Sequence, residues 1–96
     1  MSAGKTEKMH LAHILVEHKY EAEDLLRKLA SPGAEFGELA KKFSRCSSNS
    51  RGGDLGEIEL HRLDDDFADA ARNLSVGALS PIVRTRFGHH LIKRLG

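Results

Sequence analysis

The sequence predicts one α+β domain built on a mainly antiparallel sheet. Short apolar runs and amphipathic stretches follow one another in the order strand, helix, helix, strand, helix, strand, strand. Three of these stretches each carry one helical apolar stripe, so they can share a single core. The chain has 96 residues, which suffices for one such core and leaves no room for a second domain.

The first strand is predicted over residues 10–16, a short and mostly apolar run ending in Val16 that suits a strand buried on both faces. His13 lies in its middle. From Tyr20 the period changes: Ala22, Leu25, Leu26 and Leu29 fall at i, i+3, i+4 and i+7, opposite Glu21, Glu23, Arg27 and Lys28. Ser31, Pro32 and Gly33 stop this helix. The same spacing returns in Phe36, Leu39, Ala40 and Phe43, and again in Phe67, Ala70, Ala71 and Leu74. Asp64, Asp65 and Asp66 stand where the third helix begins, where carboxylates cap free N–H groups and meet the positive end of the helix dipole. Residues 46–53, rich in serine and glycine, read as a loop leading to a short strand over 57–60. After the turn at Ser75, Val76 and Gly77, strands are predicted over 79–85 and 89–95, joined around Phe87 and Gly88.

With 30% charged residues and a formal net charge of +1, no global field points to nucleic acid or a membrane as the main partner. The single Cys46 cannot form an internal disulfide, and an odd thiol fits a reducing compartment better than a secreted framework. Residues 1–9 are polar and lack the apolar stretch of a secretory signal. These features predict a cytoplasmic protein with a flexible N-terminal tip over 1–9 and one domain over 10–96.

Six histidines raise the question of a metal. His10 and His13 are three apart on a strand and point to opposite faces; His89 and His90 are adjacent and face the same difficulty. His13, His90 and Cys46 could converge from three segments, but no fourth ligand is evident, so no metal or other cofactor is expected. A histidine inside an apolar strand is most often a core residue satisfied by its neighbours, since an unpaired buried polar group costs roughly 1 to 3 kcal/mol. His13 and His90 can satisfy each other, and burial favours their neutral forms.

Cys46 has three readings: a nucleophile activated by histidine, a soft polar group lining a binding site, or a small buried apolar residue. The surrounding serine-rich loop favours the second. Gly52, Gly53 and Gly56 suit close backbone approach before a strand. No Gly-Lys-Ser/Thr follows and no helix opens there, so this is not a nucleotide phosphate loop. Arg45 and Arg51 are most simply two surface cations. Leu55, Leu63, Phe67 and Phe87 stand at element ends, where apolar side chains can line a pocket.

These residues together resemble the parvulin family of peptidyl-prolyl cis/trans isomerases, from about residue 11 to residue 95. The resemblance rests on His13, the Phe43-Ser-x-Cys46-Ser-Ser loop, Gly53-Asp54-Leu55-Gly56, the spacing of Leu63 and Phe67, and Thr85-x-Phe87-Gly88-x-His90. It implies a parvulin-like domain of the FKBP-like superfold: a four-stranded, mainly antiparallel sheet surrounded by helices, with a short helix before the second strand. It implies His13, Cys46, Thr85 and His90 as the polar catalytic group. Leu55, Leu63 and Phe67 would surround the substrate proline ring, with Phe87 beside it and the backbone near Asp64 holding a substrate carbonyl.

Three departures accompany the match. Many parvulins have Asp where this chain has Cys46, and several have Met at Leu63. The family's Gly-Pro before the penultimate strand is here Ser80-Pro81. Phosphate-selective members carry a long loop of clustered Lys and Arg after the first strand, whereas only Glu17, His18 and Lys19 precede helix one. The implied protein is a monomeric isomerase of X-Pro bonds in unphosphorylated, unfolded or partly folded proteins, with a noncovalent mechanism. The alternative is a catalytically weak peptide-binding or chaperone module using the same groove.

Overall fold

The strand that carries His13 lies inside the sheet, between two neighbours. In the computed structural model, which describes residues 7–96, this strand is β1, Lys8–Val16. It is followed by α1, Lys19–Leu29, and α2, Phe36–Phe43. A 3₁₀ turn over Ser47–Arg51 leads to β2, Asp54–Glu59, and a second over Leu60–Arg62 leads to α3, Asp65–Arg72. β3, Val83–Thr85, and β4, Gly88–Arg94, complete a four-stranded sheet of order β2-β1-β4-β3. Every pairing is antiparallel, as the α+β prediction requires.

Strand alternation divides the core in two. Met9 and Leu11 of β1 join Ile92 of β4 and Phe67, Ala68 and Ala71 of α3 on one face. Ala12, Ile14 and Val16 join Leu91, α1 and α2 on the other. β1 is therefore buried on both faces through its middle, as its unbroken apolar run predicts. Local signals set the helix ends. Glu21 accepts the His18 N–H at 2.9 Å at the start of α1, and Asp64 accepts the Asp66 N–H at 2.9 Å at the start of α3.

Several boundaries differ from the sequence reading, each for a local reason. β1 starts at Lys8, so Lys8 and Met9 belong to the sheet rather than to the tip assigned to 1–9; residues 1–6 of that tip lie outside the described residues. β2 spans Asp54–Glu59 instead of 57–60, because Gly56 sits in a bulge rather than a loop and Leu60 opens the second 3₁₀ turn. The β1–β2 register shifts between Leu11 and Ala12, and Asp54 Oδ1 accepts the Gly56 N–H at 2.7 Å across the irregularity. β3 is only three residues long. Leu79 makes an isolated bridge to Lys93, but Pro81 has no N–H to continue the ladder. The Ser80 hydroxyl instead accepts the Ile92 N–H at 2.9 Å. In α2, Phe43 is half-exposed beneath Lys28 rather than part of the core, whereas Leu74 is buried although it lies beyond the end of α3.

Candidate functional site

His13 and His90 meet because of strand register. β1 and β4 place Leu15 opposite His90 and His13 opposite Ile92, so the two histidines are diagonal neighbours on the α3 face. Both are buried, their rings are stacked with centroids 5.3 Å apart, and their Nδ1 atoms lie 3.1 Å apart. On the far side of His90, Nε2 lies 2.7 Å from the Thr85 hydroxyl, which also accepts the Phe87 N–H at 3.2 Å. Thr85 is held there by the short β3–β4 turn. Phe67 presents an edge to both imidazoles, at 5.5 and 5.2 Å.

The hydrogen bond between the two Nδ1 atoms needs one proton between them. One arrangement has His90 Nδ1–H donating to His13 and Thr85 O–H donating to His90 Nε2. The other reverses both bonds. Neither requires a charged ring. Burial pushes His13 down to about 4, helped by the neighbouring His90. Burial also pushes His90 down to about 4; Asp64 opposes this and His89 adds to it. The pair is neutral at pH 7. His13 Nε2 is buried with no hydrogen-bond partner among the described residues, which marks the ring as something other than a fully satisfied core group.

Above this pair opens a cavity of about 330 Å³. Leu55, Leu63, Phe67 and Phe87 line it, together with His13, Cys46 and His90, so the sequence-predicted residues converge. Thr85 stands behind His90 and is not part of the wall. Asp64 lines the cavity at the start of α3.

Cys46 is partly buried and is aimed by its neighbours. The Ser44 hydroxyl accepts the Leu15 N–H at 3.0 Å and the Cys46 N–H at 3.4 Å, while the Arg45 N–H donates to the Leu15 carbonyl at 2.7 Å. These bonds clamp the loop to the end of β1. Among the described residues no hydrogen bond reaches the thiol. Gly53 sets the other side: the His13 N–H donates to its carbonyl at 3.0 Å, and a Cβ on Gly53 would collide with the His13 carbonyl. At φ +81° this residue also occupies backbone space that favours glycine.

Sequence reading missed Leu15, Ile58 and Arg62 in the cavity wall, and gave Ser44 no role beyond its place in the Phe43-Ser-x-Cys46 loop. Ile58 was accessible in principle, because strand alternation puts it on the same face as Met9, its partner. Arg62, on the second 3₁₀ turn, carries no such signal. His10 belongs elsewhere. It points to the opposite face, with Nε2 2.7 Å from Asp54 Oδ1. The Gly56 N–H above all, against the opposing effect of burial and with help from His10, holds the Asp54 carboxyl below its ordinary range.

Comparison with known proteins matches residues 11–95 to the family described as Rotamase: PPIC-type PPIASE domain. The Foldase protein PrsA of Bacillus subtilis is 41% identical over 92 residues, covering 95% of this chain and 31% of the relative. The peptidyl-prolyl cis-trans isomerase Pin1 of Digitalis lanata is 42% identical over 76 residues, covering 79% of this chain and 64% of the relative. The chain thus spans under a third of that PrsA sequence. Among solved structures, NmPin, the parvuline of Nitrosopumilus maritimus, superimposes with a TM-score of 0.83 at 40% identity, covering 97% of this chain and all of the other. PrsA from Bacillus subtilis gives a TM-score of 0.88 at 41% identity, covering 93% of this chain and 35% of the other.

Proposed function

The chain belongs to the PPIC-type peptidyl-prolyl cis/trans isomerase domain family, and on that premise we propose that it catalyses rotation about X-Pro bonds in unphosphorylated protein segments, assisting their folding. One observation carries this reading: an apolar cavity of about 330 Å³, large enough to admit a proline ring, opens directly onto a buried, neutral His13–His90–Thr85 chain.

Rotation about the peptide bond faces a barrier of ~18 to 20 kcal/mol, and X-Pro isomers exchange unaided in tens to hundreds of seconds. In the twisted transition state the amide loses resonance and the C–N bond lengthens toward a single bond. Leu55, Leu63, Phe67 and Phe87 grip the ring and exclude water. His13, Cys46 and His90 supply weakly polar, uncharged groups around the turning carbonyl, and Thr85 fixes the orientation of His90. Lowering the barrier by ~5 kcal/mol gives on the order of 10³- to 10⁴-fold acceleration. Cys46 acts without covalent attack, a reading supported by the lack of any hydrogen-bonded base at its thiol among the described residues.

The two-residue link between β1 and α1 carries no basic cluster, which supports action without a phosphate before proline. The lone thiol supports work in a reducing, cytoplasmic setting. Two-dimensional exchange spectroscopy on matched Ser-Pro and phosphoSer-Pro peptides tests the proposal. Faster exchange with no gain from the phosphate is expected. Binding shifts without faster exchange would replace the isomerase with a peptide-binding module, because equal affinity for ground and transition states gives no rate.

A further inference from the structure

The apolar cavity shares part of its wall with a second one. Ile58 and Arg62 line both, and Lys8, Glu57 and Glu59 complete the second, which measures about 400 Å³. Leu15 also lines the apolar cavity, and Arg62 stands beside Ile58 at its rim, exposed to solvent.

This inference rests on the isomerase reading, which places the carbonyl before proline at the Cys46 end. With the ring between Leu55, Leu63 and Phe67, the chain after proline leaves toward Ile58 and Arg62. Arg62 is exposed there, and its Nε donates to Glu59 Oε1 at 2.8 Å. That bond orients the guanidinium while committing one of its five N–H donors. Of the acidic groups nearby, Glu59 is already engaged by Arg62, Asp64 Oδ1 accepts the Asp66 N–H, and Glu57 lines the second cavity with Lys8. We propose that Arg62 is a specificity-determining residue that reads an acidic side chain on the C-terminal flank of the substrate proline.

The test uses unphosphorylated peptides that differ only in Glu, Gln or Lys at the first position after proline. For the wild type, Arg62→Gln and Arg62→Lys, exchange spectroscopy gives kcat/KM and shift titration gives Kd. The wild type is expected to favour Glu over Gln by about two- to fivefold in Kd and kcat/KM, as for an exposed ion pair. The preference should shrink at high salt, fall to about one in Arg62→Gln, and survive in part in Arg62→Lys. Equal treatment of the peptides by the wild type, or a preference that persists in Arg62→Gln, overturns the assignment. So does an equal preference when Glu is placed before proline instead. If no peptide exchanges faster, the isomerase reading fails, and the Kd ratio still decides the role of Arg62.

Discussion

The imidazoles of His13 and His90 exchange hydration for each other and for Thr85, and the consequence is a pH dependence of definite sign. Each ring has an ordinary value of 6.5 that burial lowers to about 4, so the unfolded chain binds more protons between these limits. Their contribution to stability is complete above 6.5 and is lost progressively as pH falls toward 4. Urea unfolding should therefore show stability declining across that interval, and a double His13→Gln, His90→Gln variant should decline less steeply there. Cys46 gives a second prediction at this scale. If the thiol only shapes polarity, Cys46→Ala should fold normally and lose about tenfold or less in kcat/KM, equivalent to ~1.4 kcal/mol of transition-state stabilisation. Complete inactivity, with a trappable thiol adduct in the wild type, would establish covalent attack instead. The convergence of His13 with His90 was legible in the chain because each sits inside an apolar strand. Their tautomer chain through Nδ1, and the His13 Nε2 left without a partner among the described residues, were not, because these depend on ring orientation fixed by Phe67.

The elements hold the site through two narrow tolerances. The first is the bulge at the start of β2, where Gly53 lies against the His13 backbone at positive φ. Gly53→Ala should cost about 2 to 4 kcal/mol, through strain and a steric clash that displaces β2 from β1. Chemical denaturation measures this loss, and a change below 1 kcal/mol would contradict the close approach. The second is α3, which carries Phe67 beneath the pocket and against both histidines. Phe67→Ala removes a buried ring at about 3 to 5 kcal/mol, so Phe67→Leu, at about 1 to 2, is the better probe. That folded variant should lose more in kcat/KM than in stability; unchanged kcat/KM would remove Phe67 from the proline site. The helices were readable from their stripes, and Asp64 from its capping position. The strands at the edges were less so. In β2, glycine served a bulge rather than a loop, and ahead of β3 a proline with a serine hydroxyl replaced the ladder bonds that apolar patterning predicts.

Across the whole molecule, the sheet separates support from function. α1, α2 and the first 3₁₀ turn pack on one face, with a cavity of about 640 Å³ beside α2, while α3 and the second 3₁₀ turn cover the other only in part and leave the groove open. Hydrophobic patterning specifies which residues are buried and thereby the layers. It does not specify where a layer stops short, and so Arg62, at the open end of the groove, was visible only in three dimensions. With a lone thiol and a neutral histidine pair, this architecture predicts catalysis by shape and polarity, insensitive to pH until the pair charges. The most direct test is cis/trans exchange in an unphosphorylated Ala-Pro peptide with catalytic amounts of protein, followed by two-dimensional NMR from pH 7 downward. Accelerated exchange that holds as pH passes below 6.5 and falls only toward 4 is the predicted result. Binding shifts with no acceleration at any pH, or acceleration that titrates away near 6.5, would contradict the account.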